Sequence, residues 1–186
     1  LRTKMNLVLK PCERVIRFRS CIPGEGKTFV ASNLAMSMAL LGKKVIVVGL
    51  DVRKPRLVQL FNLKSKKRGI VNFLCGDGKD ISLLEEQIIP SGINANMDVL
   101  PAGVIPPNPA ELLDSPLLKI AIEYLSSKYD YVILDTPPVG MVADSLVIGK
   151  LANVTMFVTR LQYSPKTTFR LLNDLSNKKL PNCNLV

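Results

Sequence analysis

The segment Ser20-Cys21-Ile22-Pro23-Gly24-Glu25-Gly26-Lys27-Thr28 decides the fold. Upstream of it, residues 14–20 alternate charged and apolar side chains, with Val15, Ile16 and Phe18 as the apolar set, which is strand patterning. Downstream, residues 27–41 are rich in Ala, Met and Leu and read as a helix that Gly42 closes. Strand, glycine turn and helix together aim backbone N–H groups at a phosphate chain and place a positive helix end behind them. Lys27 reaches toward the outer phosphates, and the Thr28 hydroxyl suits magnesium. Pro23, Gly24, Glu25, Gly26, Lys27, Thr28 and Phe29 are the candidate nucleotide contacts, and the loop is a P-loop. Cys21 stands where the usual pattern has its first glycine.

Two more strands end in a carboxylate. Residues 44–50 form a continuous apolar, β-branched run of the kind buried on both faces, followed by Asp51. Residues 131–134 do the same and end at Asp135, with Thr136, Pro137 and Pro138 next. Carboxylates just past parallel strands lie on the carboxyl edge of the sheet, where ligands of such folds bind. Asp51 and Asp135 are therefore the candidate metal-side and catalytic acids, beside Lys27 as the catalytic cation and Thr28 as a further metal ligand. A strand over 153–159 delivers Arg160 as a weaker nucleotide-side candidate.

The remaining punctuation completes the pattern. Short helices are predicted within 55–62, over 70–74 and 81–89, and from 110 to 113. A short strand is predicted over 97–101. Ser115 caps a helix over 116–128 that has proline at its first position. A polar-faced helix over 166–177 and a strand from 184 follow. Strands alternating with helices give an α/β fold, a P-loop NTPase-like three-layer sandwich with a mostly parallel sheet and helices on both faces.

Composition narrows the function. The 186 residues are 47% hydrophobic, enough to cover both faces of a sheet as one domain. There is no histidine, and Cys12, Cys21, Cys75 and Cys183 form no C-x-x-C pair, so zinc sites and serine-hydrolase chemistry are disfavoured. No apolar run approaches the roughly 20 residues that span a bilayer. The net charge of +10 permits acidic partners, but no aromatic residues interleave with the Lys64, Lys66, Lys67, Arg68 cluster, so nucleic acid is not the expected partner.

Taken in order, these motifs resemble the bacterial tyrosine kinases of capsule and exopolysaccharide synthesis. Pro23-Gly24-Glu25-Gly26-Lys27-Thr28 is similar to their Walker A form, and Asp51-Val52-Arg53-Lys54-Pro55 to their additional Walker A′ motif. Tyr129-Asp130-Tyr131-Val132-Ile133-Leu134-Asp135-Thr136-Pro137-Pro138 resembles their Walker B segment. Leu100-Pro101-Ala102-Gly103 and the run from Pro106 to Leu113 match a stretch associated with the same family, and Leu1-Arg2-Thr3 looks like the end of its oligomerisation motif. The resemblance implies ATP- and magnesium-dependent tyrosine autophosphorylation that regulates polysaccharide polymerisation and export. It further implies a ring of subunits formed through the Arg2 region, and a membrane co-polymerase module on the same or another chain. The acceptor would be a tyrosine-rich tail of a neighbouring subunit, and the place of action the cytoplasmic face of the bacterial inner membrane. On this reading residues 1–186 are one kinase domain cut at both ends.

Two features depart from the family pattern. Gly49 stands where an acid is usual, and Tyr124, Tyr129, Tyr131 and Tyr163 form no cluster. Two other readings stay open on the sequence: a partition-type ATPase acting as a nucleotide switch, suggested by the charge, and a non-catalytic nucleotide-binding scaffold, suggested by Gly49.

Overall fold

The computed structural model describes residues 3, 9–64, 67–78, 80–139, 145–168 and 183–186. Its frame is a seven-stranded sheet in the order β3-β4-β2-β5-β1-β6-β7. The strands are β1 (Val15–Ser20), β2 (Val45–Gly49), β3 (Ile89–Pro90), β4 (Met97–Leu100), β5 (Tyr131–Asp135), β6 (Val154–Val158) and β7 (Cys183–Leu185). All neighbouring pairs are parallel except β3 with β4. The sequence pattern does not announce β3: it has two residues and exists through its pairing of Ile89 with Val99 and Pro90 with Asp98.

Helices cover both faces. On one side α1 (Lys27–Ala39) and α2 (Leu57–Leu60) pack Ala31, Leu34, Ala35, Met38 and Leu57 onto Ile16, Phe18, Val45, Val47, Ile133 and Met156. On the other, α3 (Ile70–Leu74), α4 (Ser82–Glu85), α5 (Pro109–Leu113), α6 (Pro116–Lys128) and α7 (Ser145–Leu151) bury residues such as Ile70, Leu84, Leu113, Leu118, Leu125 and Ile148. These meet Val15, Ile46, Val48, Val132 and Leu134. Side chains alternate across each strand, so each of β1, β2 and β5 feeds both cores, as a central parallel strand must.

Local chemistry sets the helix ends. Ser115 accepts a hydrogen bond from the Leu117 amide, and Pro116 opens α6 where no amide is needed. Gly42, at φ +77°, stops the chain after α1. The Pro101–Ala102 backbone receives the first amides of α3: Ile70 N–H donates to Pro101 O and Val71 N–H to Ala102 O. The family-like 100–103 segment thus caps a helix. The predicted 166–177 helix lies mostly outside the described residues, and Arg2 lies outside them too.

The interior of β1 is unlike its sequence pattern. Arg17 and Arg19 share a face with Val15, and both side chains are fully buried. Burial lowers their pKa values to about 9 and about 10, with Arg19 adding to the effect on Arg17 and Cys183 opposing it at both. An alternating charged strand reads as half solvated, yet here β5 and β6 flank it and helices cover both faces.

Candidate functional site

The order β2-β5-β1 sets three strand ends side by side on one edge of the sheet. β1 runs into the P-loop, β5 ends at Asp135, and Asp51 stands two residues past β2. They open into a cleft of about 480 Å³ that runs from the loop across to α2, with Pro137 and Pro138 in its lining.

The floor is an ion pair. Lys27 and Asp135 are 7% and 3% exposed as side chains, and the Lys27 ammonium donates to Asp135 Oδ1. Thr28 Oγ1 donates to Asp135 Oδ2 at 2.7 Å. Both carboxylate oxygens are engaged, and the cation meant for phosphate is held by the acid beside it. Asp51 lines the same cleft, where its Oδ1 accepts the Lys54 amide at 3.1 Å. Burial raises the Asp51 carboxyl above its ordinary value, and the Lys54 amide and Lys27 pull it back.

Thr28, Asp51 and Asp135 offer oxygen donors, the set a hard divalent cation prefers. Among the described residues no group of three or more His, Cys, Asp or Glu could enclose a metal. Magnesium is held by one or two carboxylates while phosphate oxygens and water fill its other positions, and Asp51 and Asp135 supply such carboxylates. Of these donors, Thr28 and Asp135 already touch.

The P-loop is braced from behind. Gly24, at φ +89°, takes the left-handed conformation that glycine tolerates. Its carbonyl accepts from Arg160 Nη1 at 3.4 Å, and the Pro23 carbonyl accepts from the Tyr163 hydroxyl at 3.1 Å. The Arg160 guanidinium lies 5.1 Å from the Tyr163 ring centre. Glu25 is only 4% exposed: one carboxylate oxygen accepts the Ile22 amide at 2.8 Å and the other accepts the Ser164 hydroxyl. Ser164 Oγ also accepts from the Arg160 amide at 2.7 Å. Residues 160–164 form a strap across the outside of the loop.

Each predicted residue can therefore be placed. Lys27, Thr28 and Asp51 line the cleft, Asp135 bonds to the first two of them, and Gly24, Gly26 and Pro23 shape its wall. Phe29 stands at its edge, 64% exposed. Glu25 borders the cleft but spends its carboxylate on the loop itself. Arg160 sits behind the loop, not in the cleft lining. Sequence reasoning missed Tyr163 and Ser164, which carry no local signal, and missed Arg56, Gln59 and Leu60 on the opposite wall.

Gly49 has a packing explanation. It ends β2 opposite Asp135, and a Cβ placed there would lie 3.0 Å from Leu57 Cδ1 and 3.1 Å from the Ala102 amide nitrogen. An acid at this position would need the 101–102 backbone to move.

Comparison with known proteins agrees with this geometry. A family model described as "AAA domain" matches residues 13–176. A putative tyrosine-protein kinase in the cps region of Klebsiella pneumoniae is 35% identical over 184 residues, which is 98% of this chain and 24% of that protein. Among solved structures, the kinase domain of the Escherichia coli tyrosine kinase ETK superposes with a TM-score of 0.87 at 29% identity, covering 99% of this chain and 71% of that one. The BceF tyrosine kinase domain gives 0.83 at 30% identity, covering 99% and 73%. The chain spans about a quarter of the length of the Klebsiella relative.

Proposed function

This chain belongs to the P-loop family of bacterial tyrosine-kinase domains, and from that premise we propose that it transfers the γ-phosphoryl group of ATP to tyrosine hydroxyls on copies of its own protein. The observation that carries the reading is the meeting of Lys27, Thr28, Asp51 and Asp135 at three adjacent strand ends. Phosphoryl transfer asks mainly for positioning and for charge at the equatorial oxygens.

The loop amides from Gly24 to Thr28, at the start of α1, cradle the phosphates. Lys27 leaves Asp135 and turns to the outer phosphates. Thr28 and Asp135, with Asp51 beyond them, would hold magnesium, which would neutralise the phosphate oxygens when bound. Asp51 lines the cleft and Asp135 does not. Asp51 is then the carboxylate placed to accept the proton of the attacking hydroxyl, the role Gly49 leaves open. The hydroxyl oxygen bonds to the γ-phosphorus, the bond from that phosphorus to the bridging oxygen breaks, and ADP leaves.

Family membership also supports the wider reading: a ring assembled through the Arg2 region, a membrane co-polymerase module, a tyrosine-rich acceptor tail, action at the cytoplasmic face of the inner membrane, and regulation of polysaccharide polymerisation and export. No helix among the described residues is long and apolar enough to cross a membrane, and the reading holds with the membrane module on the same chain or on another.

One observation favours a second reading. Gly49 is packed closely against Leu57 and Ala102 and supplies no acid, which suits a scaffold that binds nucleotide without transfer. The test is phosphotyrosine on the full chain with magnesium and ATP. Signal lost in Lys27→Met supports the kinase; tight ATP binding with no phosphotyrosine in either protein supports the scaffold.

A further inference from the structure

The cleft has two walls of different character. The P-loop side carries the phosphate chemistry: loop amides, Lys27 and the start of α1. The other side is the segment after β2, where Arg53, Lys54 and Arg56 are exposed and face the cleft, with Leu60 beyond them. Because β5 lies between β1 and β2, the two outlets stand about two strand spacings apart, roughly 10 Å. A guest held on this second wall lies beside the phosphates rather than on the P-loop amides.

Two side chains indicate the guest's shape. Phe29, immediately after Thr28, is 64% exposed, and Leu60 across the cleft is 44% exposed; neither belongs to the two cores. Apolar surface flanking a charged floor suits a flat ring entering edge-on with a polar tip, which is how tyrosine presents itself. The charge indicates the guest's neighbours. Glu25 spends its carboxylate inside the loop, which leaves Asp51 as the acid at the mouth against Arg53, Lys54 and Arg56. An extended peptide advances about 3.3 Å per residue, so residues one to three places from the tyrosine pass this basic wall.

We propose that the cleft selects acceptor tyrosines flanked by Asp or Glu, with the ring between Phe29 and Leu60 and the flanking carboxylates on Arg53, Lys54 and Arg56. This rests on the kinase reading, and it moves Phe29 from the nucleotide to the acceptor. Complementary charge at the mouth steers encounter and holds the peptide in register.

The experiment uses the full chain, magnesium-ATP at low salt, and two synthetic peptides equal in length, one with its tyrosine flanked by glutamates and one by lysines. Arg56→Glu tests the wall. Lys43→Glu makes the same charge change on an exposed lysine before β2, at the far edge of the sheet. The expected wild-type kcat/KM is about tenfold higher for the acidic peptide. Arg56→Glu abolishes or inverts that preference with the KM for ATP unchanged within twofold, and Lys43→Glu preserves it. Equal use of both peptides, a preference that survives Arg56→Glu, or one lost equally in Lys43→Glu would overturn the inference. Self-phosphorylation with neither peptide used overturns it as well. No phosphotyrosine on peptide or chain instead sinks the kinase reading beneath it.

Discussion

Replacing Asp135 by Asn should tighten the binding of metal-free nucleotide while ending magnesium-dependent transfer. The Lys27 ammonium donates to Asp135, and both side chains are almost fully buried. Phosphate oxygens compete with that carboxylate for the same cation. A charge-assisted hydrogen bond contributes about 1.5–3 kcal/mol and a neutral one about 0.5–1.5. Lys27 keeps its charge and Asn keeps a carbonyl acceptor, so the bond stays charge-assisted and drops only from the top of that first range toward its foot, roughly 1–1.5 kcal/mol or about 5- to 12-fold in affinity. Repulsion between Asp135 and the incoming phosphates disappears as well, which pushes in the same direction. The free protein loses a counter-charge for a buried lysine, and the same 1–1.5 kcal/mol lowers Tm by about 2–6 °C at this chain length. Titration calorimetry with ADP in EDTA reads the affinity, and thermal melts with and without ADP read the stability. The variant should start lower and gain more from ADP than the wild type. With magnesium present its advantage vanishes, because a metal-side carboxylate is gone. Metal-free ADP binding no tighter in Asp135→Asn than in the wild type would refute the competition.

Two further predictions concern the brace and the far end of the sheet. Gly24→Ala meets a left-handed backbone, at about 1–2 kcal/mol, and places a Cβ 2.7 Å from the Tyr163 hydroxyl; it should weaken ADP binding, and Gly24→Ala with Tyr163→Ala should recover the steric part but not the backbone part. Strict additivity of the two changes in a double-mutant cycle would show that loop and strap do not touch. Tyr129 donates to Asp98 Oδ2 at 2.7 Å, and burial first, then Asp98, hold its phenol above the ordinary value. A raised folded pKa contributes stability that is fully present below the unfolded value near 10 and is lost as pH climbs beyond it. Tyr129→Phe should therefore cost about 1–2 kcal/mol at pH 7, with the gap to wild type narrowing near pH 10.5; urea midpoints that stay parallel across that range would contradict the assignment.

Legibility in the sequence followed the range of the interactions. β1, the P-loop and α1 are set by residues next to one another, and so is α6, whose Ser115 and Pro116 mark its start and whose predicted span matches the observed one. β2 and β5 stood out because strands covered on both faces are apolar throughout. β3 was illegible, since two residues have no period and only β4 defines them. The burial of Arg17 and Arg19 was illegible, because alternation cannot report that β1 lies inside the sheet with helices over both faces. At the site, strand-end acids were readable by position. The inward turn of Glu25 was not, because its partner Ser164 lies 139 residues away. The same distance hid Tyr163 and placed Arg160 behind the loop, where its sequence position had suggested nucleotide contact.

The strap has a consequence for how the site comes into being. The phosphate-binding motif is complete by residue 28, before any strand of the sheet but β1 has been made. Its brace arrives with β6 and residues 160–164, after almost the whole sheet has been made. A nascent chain that ends before Ser164 carries every phosphate-binding residue of the loop and none of the contacts that hold its outer carbonyls and Glu25. Contacts so distant in sequence form late, after loop closure has been overcome. Nucleotide binding therefore reports a finished fold, and a chain released early would keep the signature while lacking the grip.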